Sequence, residues 1–122
     1  MTAAEFRRFA LNLPEATENA HMGHPDFRVR GKIFATLGYP DEEHAAVMLP
    51  PEEQRRLVHL APAVFSPAKG AWGRQGATAL RLSSAAEPMV ESALALAWCR
   101  KAPKRLVEGT TSISIATKST RR

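Results

Sequence analysis

The sequence has little that would set it apart from ordinary globular proteins. It contains a single cysteine, Cys99, so an internal disulfide is excluded, and its apolar surroundings predict a buried thiol in a reducing compartment. Aromatic residues make up only 7% of the chain. The longest apolar stretches, near residues 93–99, fall well short of the roughly 20 residues that a membrane-spanning helix needs. No charged segment followed by an apolar one opens the chain, so we expect a cytoplasmic protein without a membrane partner.

The composition is that of one folded domain. The chain has 122 residues, of which 44% are hydrophobic and 24% are charged. These values are typical of a globular protein with a single core, and they exclude wholesale disorder and a collagen-like or low-complexity chain.

The positive charge is concentrated at the C-terminal end. Seventeen lysines and arginines against twelve acidic residues give a net charge of +5. Residues 1–99 carry ten basic and eleven acidic side chains, whereas residues 100–122 carry seven basic and one acidic. A surface that contacts the phosphate backbone of a nucleic acid should contain basic residues from several elements. A basic terminus can instead stabilise a helix dipole or aid solubility. Net charge alone therefore does not establish a nucleic-acid partner.

The N-terminal segment predicts a helix followed by a loop. Thr2 and Glu5 have capping-box spacing, and Pro14 ends the helical pattern. One apolar stripe runs along this helix: Phe6, Phe9, Ala10 and Leu13. Residues 15–25 are polar and aperiodic, which predicts a connecting loop.

A tight hairpin is predicted next. Two β-rich runs, residues 26–29 and 32–37, flank Arg30 and Gly31, which is typical of a two-residue turn. With this turn, Phe27 is expected directly opposite Phe34 on one face of an antiparallel pair.

The second half alternates strands and helices. The pattern predicts a strand at 44–49, a short helix from 51 to about 61, a glycine-rich loop at 64–76, a strand at 77–82 and a long helix at about 84–101. Leu57 and Leu60 are expected on the inner face of the short helix. Beyond Pro103, only residues 112–115 alternate like a strand, which is typical of a loose tail or a marginal edge strand. These elements together predict a single α+β domain, with an antiparallel sheet packed against an N-terminal helix, a short middle helix and a long C-terminal helix.

Several segments resemble the MmcQ/YjbR family of small bacterial proteins. The segments are residues 27–35 (FRVRGKIFA), preceded by 23–25 (GHP), together with 11–15 (LNLPE), 51–53 (PEE) and 65–72 (FSPAKGAW). The likeness covers about residues 2–102. It divides the chain into a YjbR-like α+β domain at residues 1–102 and a basic Ser/Thr-rich extension at 103–122.

The resemblance implies a secretion-chaperone-like fold and a DNA-binding role. Members are often described as DNA-binding because their shape is similar to a double wing, and no enzymatic activity is established for the family as a whole. By the same analogy with chaperones, the alternative is a protein–protein interaction domain that uses an exposed sheet face.

The sequence offers no catalytic or metal site. His21 and His24 have H-x-x-H spacing, but Gly23 and Pro25 forbid the regular helix that would bring them together, and zinc needs three or four ligands. No serine, cysteine or threonine is paired with an oriented base, and no glycine-rich segment has the lysine and hydroxyl of a phosphate-binding loop. We therefore predict a protein that is not an enzyme and needs no cofactor or metal.

The remaining candidates for function are basic residues on the predicted hairpins. Six nucleic-acid-binding residues are predicted: Arg28, Arg30, Lys32, Lys69, Trp72 and Arg74. Arginine and lysine neutralise backbone phosphates without reading sequence, so the predicted partner is duplex DNA, bound weakly and with little sequence preference. Each of these residues can equally be an ordinary exposed cation at a strand end, with Trp72 covering the end of the sheet.

Overall fold

The computed structural model describes residues 1–109, and within them the chain forms one antiparallel sheet and five α-helices. The helices are α1 (Ala3–Leu11), α2 (Pro51–Leu60), α3 (Gly70–Arg74), α4 (Glu87–Lys101) and α5 (Lys104–Gly109). The strands are β1 (Ala16–His21), β2 (His24–Val29), β3 (Lys32–Leu37), β4 (His44–Met48), β5 (Phe65–Pro67) and β6 (Ala77–Arg81). Their order in the sheet is β1-β2-β3-β4-β6-β5. The predicted α+β fold, with its N-terminal, middle and C-terminal helices, is confirmed.

Helix α1 begins as the sequence predicts. The Thr2 hydroxyl accepts from the Glu5 amide at 3.1 Å, and the Glu5 carboxylate accepts from the Thr2 amide at 2.9 Å. Phe6 is fully buried and packs edge to face against Phe27, with ring centroids 6.1 Å apart. The cap therefore fixes the helix start, and the aromatic contact fixes the helix on the sheet.

Strand β1 corrects the prediction of a loop at residues 15–25. Residues 16–21 form β1, which pairs with β2 along its whole length. A two-residue turn at Met22 (φ 50°) and Gly23 (φ 83°) closes the hairpin. It lies at the edge of the sheet, and its side chains are exposed on both faces. An edge strand of this kind needs no apolar alternation, so the periodicity that reveals strands is missing.

The hairpin of β2 and β3 confirms the predicted turn but not the predicted aromatic pair. Arg30 (φ 50°) and Gly31 (φ 82°) both have positive φ, as a tight two-residue hairpin turn requires. A bulge interrupts the register, so Phe27 lies opposite Ala35 and not opposite Phe34. Phe34 is the extra residue, and both it and Ala35 are fully buried in the core.

One face of the sheet carries the main core. Helices α1 and α4 contact β3 on this face, and four residues predicted for the inner stripe of α4 are buried: Val90, Leu94, Ala97 and Trp98. The Trp98 indole nitrogen donates to the Pro14 carbonyl at 2.9 Å, which ties α4 to the segment after α1. The buried polar end of the indole is thus satisfied.

The glycine-rich segment contains structure that the sequence does not predict. It forms β5 and the single-turn helix α3, and the Gln54 amide of α2 donates to the carbonyls of Gly73 and Ala77, both at 2.9 Å. Glycine at position 73 permits the close approach of α3 to Ala68, because a Cβ there would lie 1.7 Å from the Ala68 carbonyl oxygen. Elements of three and five residues are too short to show the periodicity that identifies them from sequence.

Two further expectations differ from the structure. Leu57 is buried, but Leu60 is 65% exposed and does not belong to the inner face of α2. The segment after Pro103 continues as α5, whose Leu106 and Val107 pack against the core. The strand predicted at residues 112–115 lies outside the described residues. No helix within residues 1–109 is long and apolar enough to cross a bilayer.

Candidate functional site

A pocket of about 490 Å³ lies where the β2–β3 turn, α3 and the C-terminal end of α4 meet. It lies at the end of the sheet where β3 begins and β4 ends, beside the last residue of α4. Nine residues line the pocket: His21, Arg28, Gly31, Lys32, Ile33, Thr36, Met48, Trp72 and Lys101. The lining therefore combines cationic groups with an apolar wall.

A buried carboxylate organises one side of the pocket. The Asp26 side chain is fully buried and accepts from Arg28 twice, at 2.8 Å from Nε and 3.1 Å from Nη2. These hydrogen bonds hold the pKa of Asp26 below its usual range, helped by a further bond from His21 and opposed by burial. Asp26 and Arg28 share one face of the sheet because they lie two residues apart on β2.

The same carboxylate orients His21. The His21 Nδ1 lies 2.7 Å from Asp26 Oδ2. An ionised carboxylate can only accept a hydrogen bond, so Nδ1 must carry the proton in this contact. In the neutral ring, Nε2 is then left as a hydrogen-bond acceptor on a residue that lines the pocket.

Two lysines contribute positive charge from separate elements. Lys32 begins β3 and Lys101 ends α4, and within residues 1–109 neither has a carboxylate at salt-bridge distance. Burial lowers the pKa of Lys101, and repulsion from Arg100 and Lys32 lowers it further. The Arg100 guanidinium itself donates to the carbonyls of Leu49 and Gln75, which joins the end of α4 to the end of α3.

Thr36 adds an unusual polar group to the lining. It is only 2% exposed, and its hydroxyl oxygen has no hydrogen-bond partner among the described residues. Buried polar groups are nearly always paired, so an unpaired hydroxyl at a pocket requires an explanation. The other buried threonine, Thr78, donates to the Gly76 carbonyl at 2.8 Å.

The apolar wall depends on α3. Trp72 packs edge to face against Tyr39, with centroids 4.9 Å apart and an interplanar angle of 82°. Both rings pack on a small cluster of Met48, Ala68 and Ala77, which is separate from the main core. This cluster holds Trp72 at the pocket.

The fold brings together only part of the predicted site. Three of the six predicted residues line the pocket: Arg28, Lys32 and Trp72. Lys69 and Arg74 lie at the two ends of α3, the helix that carries Trp72. Arg30 lies in the hairpin turn, where its guanidinium forms an ion pair with Glu15. Arg28 is also paired, so the unpaired cations of the six are Lys32, Lys69 and Arg74 within the described part of the chain.

Four polar residues in or beside the pocket are not predicted from the sequence: His21, Asp26, Thr36 and Lys101. The pair of Asp26 and Arg28 has a readable signal, since side chains two apart on a strand lie on the same face. The roles of His21, Thr36 and Lys101 depend on β1 and on the position of α4, which sequence periodicity does not reveal. His21 is bonded to Asp26, and no group of three or more His, Cys, Asp or Glu residues within 1–109 could hold a metal ion.

The fold defines a class of small α+β proteins with one antiparallel sheet and helices packed against it, and in this chain a cationic pocket lies at one end of the sheet. A family model described as YjbR matches residues 11–100, and the chain belongs to the YjbR family, as the resemblance implies. The crystal structure of Deinococcus radiodurans protein DR2400, with the domain DUF419, is similar in fold. It aligns with a TM-score of 0.68 and 14% identity, over 96% of this chain and 86% of that chain. No curated protein matches the chain.

Proposed function

We propose that this YjbR-family protein is a non-enzymatic binding module that holds duplex DNA through its phosphates, with little dependence on base sequence. The observation that carries the proposal is the convergence of basic residues from separate elements. Lys32 from β3 and Lys101 from α4 line one pocket, and Arg74 ends the helix that carries Trp72. Because net charge alone can reflect a basic terminus, this convergence within the folded part is the stronger support.

The expected salt dependence follows from the unpaired cations. Lys32, Lys69 and Arg74 have no acidic partner at salt-bridge distance among residues 1–109, whereas the two hairpin arginines are neutralised. Three phosphate contacts predict a slope of about −2.7 in log K against log salt. Affinity should therefore fall about 40-fold between about 50 and 200 mM salt.

The absence of catalysis is part of the proposal. A nucleophile must lie within hydrogen-bond reach of its base. Thr36 lines the pocket, but its hydroxyl oxygen is buried and has no hydrogen bond to His21 or to any other described residue. His21 is bonded to Asp26 instead.

Fluorescence anisotropy with short duplexes of two unrelated sequences tests the proposal in the full chain. The site variant removes three positive charges: Lys32→Gln, Lys69→Gln and Arg74→Gln. A matched control removes three charges from the C-terminal end: Lys118→Gln, Arg121→Gln and Arg122→Gln. We expect both duplexes to bind equally, the site variant to lose the salt slope, and the control to retain most of it.

Two results would contradict this function. One is the absence of any binding at low salt. The other is a loss of binding in the control variant with none in the site variant, because DNA would then contact the terminal charges and not the pocket region.

The alternative, a protein-interaction domain using the sheet face, has less support. It calls for a contiguous exposed apolar patch. The large hydrophobic side chains exposed within residues 1–109 are Leu11, Met22 and Leu60, and they lie on α1, the β1–β2 turn and α2.

A further inference from the structure

We infer that the pocket is a binding site for a small aromatic phosphate monoester, with its phosphate held by Lys32 and Lys101, its ring beside Trp72 and a polar atom bonded to the Thr36 hydroxyl. This inference goes beyond the proposed DNA contact, because it assigns a small-molecule ligand to the pocket, although both proposals use Lys32 and Lys101. Four features of the structure carry it: the size of the pocket, its charge, its apolar wall and its unpaired hydroxyl.

The size suits a small molecule. Ligand pockets in proteins usually span roughly 300–1,000 Å³ and combine apolar walls with a few placed polar groups. This pocket measures about 490 Å³, and Ile33, Met48 and Trp72 supply its apolar wall. A small ring with one charged substituent has the size and the chemistry to fill such a pocket.

The charge suits a dianion. Arg28, Lys32 and Lys101 carry three positive charges, and the carboxylate of Asp26 neutralises one of them. A phosphate monoester carries a charge of about −1.5 to −2 near pH 7. Lysines act on phosphates as mobile point charges, and these two approach from different elements. Burial is the main cause of the lowered pKa of Lys101, repulsion from Arg100 and Lys32 adds to it, and a bound dianion would offset that repulsion.

The Thr36 hydroxyl supplies an independent observation. The residue lines the pocket, its hydroxyl oxygen is buried, and no described residue bonds to that oxygen. A hydroxyl can both donate and accept a hydrogen bond, so a polar ligand atom at that position would complete it. Burying an unpaired hydroxyl is unfavourable, and a ligand contact gives the side chain a role that packing does not.

Phenyl phosphate is the probe for this inference, with phenol and inorganic phosphate as the two halves of the same molecule. Binding is followed in the full chain, without DNA, by the NMR resonance of the Trp72 indole. The Trp98 indole is the internal reference, because it is buried in the main core and bonded to Pro14. We expect phenyl phosphate to shift the Trp72 resonance saturably, and each half to bind at least about tenfold more weakly, a difference of about 1.4 kcal/mol.

Two variants and one control distinguish specific binding in the pocket from nonspecific attraction of the anion to positive charge. Lys32→Gln with Lys101→Gln should weaken phenyl phosphate at least about tenfold, whereas Arg8→Gln with Arg55→Gln removes the same charge elsewhere and should leave binding unchanged. Thr36→Val should weaken binding by a similar factor while the protein stays folded.

Three results would overturn the inference. They are the lack of a saturable Trp72 shift up to about 10 mM phenyl phosphate, an unchanged affinity in the lysine variant, and an unchanged affinity in Thr36→Val. Because DNA is absent from the assay, each result is independent of whether the DNA proposal fails.

Discussion

The two buried threonines of the sheet provide a sharp test of the structure. Thr36 on β3 and Thr78 on β6 are 2% and 0% exposed, so both are packed away from solvent. The hydroxyl of Thr78 donates to the Gly76 carbonyl at 2.8 Å, whereas that of Thr36 has no partner among residues 1–109. Replacing each by valine exchanges a hydroxyl for a methyl group of similar shape, so the two variants should differ mainly in the hydrogen bond that is lost.

The expected effects have opposite signs. Leaving a buried hydroxyl unpaired costs about 1–3 kcal/mol, so Thr36→Val should raise the free energy of unfolding by about 1–2 kcal/mol. Thr78→Val loses one hydrogen bond, which contributes about 1 kcal/mol. The Gly76 carbonyl also accepts from the Leu49 amide at 3.1 Å, so it is not orphaned and the loss should stay near that value.

Urea unfolding of the two variants and the parent protein measures the difference. A changed midpoint with an unchanged slope reports stability alone. The melting temperatures should separate by several degrees, since 1 kcal/mol corresponds to about 3–6 °C in a chain of this size. A Thr36→Val variant that is destabilised as much as Thr78→Val would refute the reasoning, because it would mean that the Thr36 hydroxyl is satisfied in the folded protein.

Two other substitutions test the supports of the pocket. Asp26→Asn should lower the free energy of unfolding near pH 7 by about 2 kcal/mol, because it removes the charged acceptor of the Arg28 hydrogen bonds. The pKa of Asp26 is lowered in the folded state, so this contribution is fully present above the ordinary value of about 4, and the variant and parent should converge in urea titrations as pH falls through the folded value. Gly73→Ala should destabilise the protein by at least about 2 kcal/mol and shift the Trp72 indole resonance, since its Cβ would lie 1.7 Å from a carbonyl oxygen. Gly109→Ala, whose Cβ would meet no atom of residues 1–109 within 4 Å, is the matched control and should change neither.

The sequence predicts the fold where apolar residues repeat with a regular period. The inner stripe of α4 and the runs of β2 and β3 are identified because burial on one face imposes the pattern. Strand β1 lacks that signal, since its side chains are mostly exposed on both faces and it pairs with β2 through backbone hydrogen bonds. The bulge at Phe34 is also not predicted, because the apolar pattern of one strand does not show where an extra residue is inserted relative to its partner strand.

The site is less predictable because it depends on which charges meet. Arg30 reads as a free cation until β1 brings Glu15 beside it. Lys101 reads as the usual basic residue at a helix C-terminus until the end of α4 is placed near Lys32. The sequence therefore predicts cations near the pocket, but ion pairs with carboxylates in the folded chain decide which of these cations are available to a ligand.

The two faces of the sheet differ in a way that stability does not explain. On the core face, the Trp98 indole donates to the Pro14 carbonyl, and no buried side-chain polar atom of that face lacks a partner among residues 1–109. On the pocket side, Lys32 and Lys101 have no acidic partner among residues 1–109, and the Thr36 hydroxyl lacks a hydrogen bond there. Places where a sequence breaks the local rules of folding without a compensating structural gain are typically functional sites. Valine at position 36 would avoid the unpaired hydroxyl, so the threonine at this position supports the ligand site that we propose.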